Sequence, residues 1–225
     1  MKNFTPPNWL KKVKFLKTIR DSWYYQKRAR YFKKLRKLVG PETSIIANAC
    51  YGGRLSTDLG FPYNSPLVGC YIVYPDYLEF LSNIREYLRA PLQFKKESKY
   101  EECRQQRAKT PYWYPEGFLS IGGKEVEIHF LHYHSEEEAR EKWERRAARV
   151  NFDDLLILGV DQDMATEEDA KRFVKLPFKK KFFFASHNWC PEAKDAGFRF
   201  DQAMGWGNKQ TVFHKAHTIY RLMTT

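Results

Sequence analysis

Cysteine is scarce in this chain. Its 225 residues hold four, Cys50, Cys70, Cys103 and Cys190, and none forms a C-x-x-C pair. Such spacing offers no disulfide framework and points to a reducing compartment. Long apolar runs are also missing. No stretch approaches the roughly 20 residues that cross a bilayer as a helix. The opening segment MKNFTPPNWLKKVKFLK lacks the apolar core and small-residue cleavage site of a secretory signal. A cytoplasmic protein is expected, with room for peripheral attachment to the inner face of the cytoplasmic membrane. There is no internal repeat, no low-complexity tract and no G-x-S-x-G nucleophile elbow. Zinc-finger and RRM signatures are absent too, which leaves nucleic acid without a recognisable reader.

Acid is nearly absent from one region. Residues 1–40 hold 13 Lys/Arg and one acid, Asp21, so they carry the whole net charge of +12. The remainder is balanced. Between Trp9 and Leu38 apolar residues recur at helical spacing: Trp9, Val13, Leu16, Trp23, Tyr24, Tyr31, Leu35 and Leu38. Pro6-Pro7 suits a helix start and Gly40-Pro41 a stop. The expectation is a basic amphipathic helical arm over residues 1–40, followed by a single α/β domain over 41–225. Such an arm either lies on an anionic membrane surface or packs on the body with a solvated basic face. Nucleic acid stands behind both.

What is present in the body is an alternation of strand and helix patterns. TSIIANAC reads as a buried strand ending at a Gly-rich turn, and SPLVGCYIV as a second strand. PDYLEFLSNIREYLRA has a helical apolar face, while residues 93–117 show no clear periodicity and read as a loop. FLSIGGKEVEIHFLHY suggests two strands joined at Gly122-Gly123. DDLLILGV, TEEDAKRFVKL and KKKFFFASHN continue as strand, helix, strand. The fold class expected is α/β, a three-layer sandwich with a largely parallel or mixed sheet. Sites in such sheets collect where strands end and turns begin.

The stretch HYHSEEEAREKWERRAARVN, residues 132–151, carries the most information. Ser135 followed by Glu138 is a capping-box pattern. The acids precede the arginines, as the helix dipole favours. Ala139, Trp143, Ala147 and Val150 form a buried stripe, and Arg146 falls at its edge. A guanidinium there needs an acid or a phosphate. A neighbouring carboxylate is the plainer partner and a substrate anion the sharper one. His132, just before a capped helix start, suits a general acid/base or an anion-facing group. His129, His132 and His134 would not converge on a metal from an extended segment.

Several of these motifs together resemble the DUF1919 family, often labelled exopolysaccharide or capsular polysaccharide biosynthesis proteins. The resemblance covers about residues 44–185. It rests on Asn48-x-Cys50, Gly53, Ser65-Pro66, Asp76-Tyr77, His132-Tyr133, and Trp143-x-x-Arg146-x-x-Arg149-x-Asn151. Leu67 stands where the family pattern has Thr, so no hydroxyl acts there. The resemblance implies an α/β sandwich and a role in bacterial surface polysaccharide. It supplies no reaction.

Two transferase chemistries on a glycan or activated-sugar substrate fit these residues. In acyl transfer, Cys50 or Ser65 is the nucleophile or orienting hydroxyl and His132 the base. The Gly52 and Gly53 amides then form an oxyanion hole, and acetyl-CoA is the candidate donor. Asn48, Gly53, Tyr133, Arg146, Arg149 and Asn151 are the expected substrate-binding residues. In glycosyl transfer, Asp161-x-Asp163 would hold a divalent metal on a sugar nucleotide. A helix-entry loop capped by Thr166 explains that pair more simply, and no metal is expected. The reading from a different class is a non-catalytic docking module of a capsule assembly system, held at the membrane surface by the arm. Convergence of Asn48, Cys50, Ser65, His132 and Arg146 on one cleft would favour the enzyme.

Overall fold

In the computed structural model, the described residues are 29–162, 164–200, 220, 223 and 224. The first of them are already helical, and residues 29–38 are labelled α1. The order continues β1 (Ser44–Ala47), α2 (Tyr51–Leu59), α3 (Tyr74–Ser82), α4 (Ile84–Tyr87), β2 (Gln93–Lys95) and α5 (Glu101–Lys109). Then come β3 (Glu116–Ile121), β4 (Lys124–His129), α6 (Glu136–Ala147), β5 (Leu155–Val160), α7 (Glu167–Val174), β6 (Lys180–Ala185) and β7 (Phe198–Phe200).

Two sheets organise the chain. One is parallel, in the order β1-β5-β6-β7. The other is antiparallel, β2-β3-β4. The parallel strands read as continuous apolar runs because both their faces are covered. On one face Ile45, Ala47, Leu156, Leu158, Val160 and Phe184 meet α1 and α2. On the other, Ile46, Ile157 and Phe183 meet α3 and α7. That second cluster runs on into Leu119, Val126 and Ile128 of the antiparallel sheet and Trp143 of α6. The expected α/β sandwich with a parallel sheet is therefore present, with a separate antiparallel sheet beyond α3.

Close approach is built into the centre. A Cβ at Gly159 of β5 would sit 2.6 Å from Tyr74 Oη and 3.2 Å from Phe173. Only glycine lets α3 and α7 settle on the strand at that point. Tyr77 Oη lies 3.0 Å from Ile46 O and 2.9 Å from Leu158 O, tying α3 to β1 and β5.

Helix α1 packs on the body through Phe32, Leu35 and Val39. Burying three such side chains contributes about 1.5–3 kcal/mol each. Leu38, expected on the apolar stripe, is 43% exposed, because the buried face runs through 32, 35 and 39 instead. Residues 1–28 of the expected arm lie outside the described residues.

Three local expectations change. Tyr51, Gly52 and Gly53 open a helix and not a turn. SPLVGCYIV is not a strand: Gly69 takes φ +81°, and only Tyr71 pairs, with His129. Residues 93–117 contain β2 and α5, a polar helix that buries only Cys103 and so shows no apolar period. The β3–β4 hairpin, α6, β5, α7 and β6 fall where the patterns place them.

Candidate functional site

The turn at residues 65–70 gathers most of the candidate residues. It has few backbone hydrogen bonds of its own, so side chains from elsewhere satisfy its carbonyls. Val68 O accepts from Tyr133 Oη at 2.6 Å and from Arg146 Nη1 at 3.1 Å. Gly69 O accepts from the His132 amide at 3.2 Å. Cys70 O accepts from Cys50 Sγ at 3.5 Å. Asn48 O, one strand end away, accepts from the Ile72 amide at 2.8 Å. Helix α6, the loop before it and the N-cap of α2 thus meet on six residues, and β1 joins just beyond them at Ile72.

Helix α6 aims Arg146 at this turn. Its start is fixed by Ser135, whose hydroxyl accepts from the Glu138 amide at 3.1 Å, and by Glu138, which accepts from the His134 amide at 2.8 Å. Trp143 anchors the buried face, edge-on to Phe130. Arg146 is 9% exposed. Its Nη1 also donates to Tyr133 Oη at 2.5 Å, and its guanidinium lies 5.2 Å over the Tyr63 ring. Among the described residues, no carboxylate pairs with it. The neighbouring groups are neutral. Burial pushes the Cys70 thiol up, and the nearby Cys50 adds to that, so Cys70 stays protonated beside the guanidinium. Burial likewise pushes the Tyr133 phenol well up. A buried cation facing only neutral dipoles is costly unless an anion arrives from outside.

Cys50 is half-buried at the N-cap position of α2. His132 is exposed on the far side of Gly69, where a Cβ on that glycine would come within 3.3 Å of His132 Cβ. β4 ends at His129, so His132 sits in the turn after the strand and not at its end.

The other candidates divide. Ser65 is buried, and its hydroxyl accepts from the Leu67 amide at 3.3 Å, which makes it a brace for the turn. Gly53 gives α2 close approach: a Cβ there would meet Val68 Cγ1 at 2.7 Å. Gly52 does the same against Ala47 at 2.8 Å. Asn48 is fully buried, with Oδ1 accepting from the Val160 amide at 3.2 Å and, among the described residues, no partner for Nδ2. Arg149 is exposed one turn beyond Arg146. Asn151 stands at the opposite end of the parallel strands. Its amide donates to Ser44 Oγ at 2.8 Å and its Nδ2 to Glu42 O at 3.2 Å, so it fastens the strand starts. A cleft of about 460 Å³ beside Arg85, Arg89, Trp143 and Phe152 contains none of these candidates.

Asp161 is engaged already. Its Oδ2 accepts from the Ser186 amide, Ser186 Oγ and His187 Nδ1. Asp163 lies outside the described residues. Among the described residues no group of three or more His, Cys, Asp or Glu is placed to hold a metal.

Sequence comparison adds a family to this geometry. The model for the domain of unknown function DUF1919 matches residues 22–210. The chain belongs to the DUF1919 family. That match takes in the 65–70 turn, α6 and every strand of both sheets. A Haemophilus influenzae protein, described only as uncharacterized, is 39% identical over 173 residues, covering 76% of this chain and 75% of its own. Two members of the DUF1919 motif set, Asp76 and Tyr77, are explained by architecture. Asp76 Oδ2 accepts from the Glu127 amide at 2.7 Å, and Tyr77 ties α3 to the strands. His187 has no counterpart among the sequence candidates. Its signal was an apolar strand, KFFFA, ending in Ser-His beside another ending in Asp.

Proposed function

We propose that this DUF1919 protein is a transferase of bacterial surface polysaccharide biosynthesis, moving an acyl group onto a glycan or glycan precursor. The observation that carries this reading is Arg146. A nine-tenths buried guanidinium without a carboxylate, on the same turn as Cys50 and His132, fits a substrate that brings its own negative charge. Cys50 is the nucleophile, its thiol half-buried at the start of α2. Tyr133 and Arg146 orient the anion, and Arg149 extends the basic surface.

Glycosyl transfer through a metal on Asp161 is less well supported, because three donors already engage that carboxylate. Peripheral attachment at the cytoplasmic membrane face belongs to the same reading. Among the described residues no helix is long and apolar enough to cross a membrane. The outward face of α1 still offers Arg30, Lys33, Lys34 and Lys37 to an anionic surface. One observation favours the docking-module reading: Tyr112 and Trp113 are adjacent, and 55% and 54% exposed.

Thermal melting against ligands tests the proposal. The panel is acetyl-CoA, sugar nucleotides with and without Mn²⁺, and short anionic glycans, each on the native chain and on Arg146→Met. A ligand at 100 times its Kd stabilises by about 2.7 kcal/mol, a shift of several degrees at this size. A shift with acetyl-CoA or an anionic glycan that Arg146→Met abolishes is the expected result. A shift only with a metal-loaded sugar nucleotide replaces acyl transfer by glycosyl transfer. Silence across the panel moves the reading to the docking module.

A further inference from the structure

Adjacent parallel strands bring a second constellation to the open edge of the sheet. Asp161 follows β5, and Ser186 and His187 follow β6. The Asp161 side chain is 2% exposed. Its Oδ2 accepts from the Ser186 amide at 2.5 Å, from Ser186 Oγ at 2.7 Å and from His187 Nδ1 at 3.2 Å. The His187 side chain is 65% exposed, yet it is not loose. Its ring stacks on Trp189 with centroids 5.1 Å apart and planes 8° apart, and Trp189 leans on Phe183.

The two Ser186 hydrogen bonds alone suffice to tie β5 to β6. The stacked, exposed imidazole, whose Nδ1 also lies 3.2 Å from Ser186 Oγ, goes beyond what that brace needs. It does match a base held by an orienting acid. A carboxylate at Nδ1 keeps the proton there and leaves the lone pair on Nε2. Among the described residues Nε2 has no hydrogen-bond partner. Ser186 Oγ donates to Asp161, so Ser186 is not the activated nucleophile.

We infer that His187 is a catalytic general base of this protein and that Asp161 is its positioning residue. The inference rests on the acyl-transfer reading above. Cys50 follows β1, two strands from β6, which is about 10 Å across the sheet. Both groups stand at the carboxyl ends of their strands, the side from which an acceptor hydroxyl would enter. Cys50 first takes an acyl group from a donor of the acyl-thioester class; the donor thiolate leaves and receives the proton of the Cys50 thiol. The acceptor oxygen then bonds to the acyl carbon while its proton passes to His187 Nε2. The C–S bond breaks, its electron pair leaves on Cys50 Sγ, and the thiolate recovers the proton from His187. Water replaces the acceptor when none is bound.

The test uses the full chain and S-acetyl-N-acetylcysteamine as acyl donor. Peptide mass spectrometry reads acetyl on Cys50, and its decay after donor removal gives the deacylation rate. The native chain and His187→Gln should both label at Cys50, and Cys50→Ser should not. Deacylation should fall about 10²–10⁴-fold in His187→Gln, the range for a lost general base. The titration seen in the native pH–rate profile should vanish in that variant. Asp161→Asn should show a smaller loss with a displaced profile. Labelling at Cys50 with native deacylation in His187→Gln overturns the role of His187 and leaves the acyl-transfer reading standing. No label on Cys50 overturns both.

Discussion

The antiparallel sheet surrounds three buried carboxylates with three bases, whereas the turn at 65–70 receives Arg146 and no acid at all. Lys99 pairs with Asp76 at 2.9 Å, Lys95 with Glu127 at 2.9 Å, and Arg107 with Glu116 at 2.7 Å. Lys95 also reaches the more exposed Glu125. His129 sits fully buried among them, stacked on Tyr71 at 4.2 Å, with its nitrogens 3.9 Å from Glu116 and 3.6 Å from Glu127. Each buried carboxylate has its base, and burial pushes His129 down to about 4, so the imidazole adds no charge to the cluster. Burial pushes Glu127 up, but Ser98, the Lys99 amide and Lys95 outweigh it and hold it below the usual range. Compensated charge in a protein interior serves architecture. Charge left uncompensated at comparable burial is what the proposed anionic substrate would answer.

That contrast can be broken by substitution. Asp76→Ala removes the partner of Lys99, Tyr100 and the Glu127 amide. It should cost about 3–5 kcal/mol in urea unfolding, as for a broken buried pair. A small loss would mean that the antiparallel cluster is not structural. The pH dependence comes next. The unfolded His129 takes a proton near pH 6.5, while the folded one resists it to about 4. Stability should therefore be full above pH 6.5 and fall as pH drops from there toward 4, by up to about 3 kcal/mol. Unfolding midpoints across that window measure it, and His129→Gln should flatten the limb. A limb unchanged by that variant would assign it to the carboxylates. Arg146→Met should sit at the other extreme. Its stability should stay within about 1 kcal/mol of native, because replacing an unpaired buried charge by an apolar group of similar length relieves desolvation. A large loss there would make Arg146 as architectural as Asp76. Arg149→Ala, at the exposed edge, should change unfolding by less than about 0.5 kcal/mol.

The same contrast explains what was legible in the sequence. Ser135, Thr166 and Gly122-Gly123 announce their elements because caps and tight turns are local chemistry. The strand LLILGV is legible because two covered faces leave a continuous apolar run. Segment 65–73 is equally apolar, yet it bends at Gly69 and pairs with side chains from α6 and α2, partners that no local pattern reveals. Helix α5 was hidden for the opposite reason, since it buries almost nothing. Arg146 was legible as a charge at the edge of a buried stripe. His187 was not, because Asp161 reads naturally with its sequence neighbour Asp163, and its bonded partner stands 26 residues away on the next strand.

Arg36 of α1 donates through Nε to Leu59 O at 2.6 Å, closing the last turn of α2. Helix α2 is nine residues long, so its other end, where Cys50 stands, is about 13 Å distant. The two ends of α2 are therefore held by different parts of the chain, Leu59 by Arg36 of α1 and Cys50 by the turn at 65–70. Arg36→Ala should free the last turn of α2 and raise amide exchange there, while leaving the strands protected.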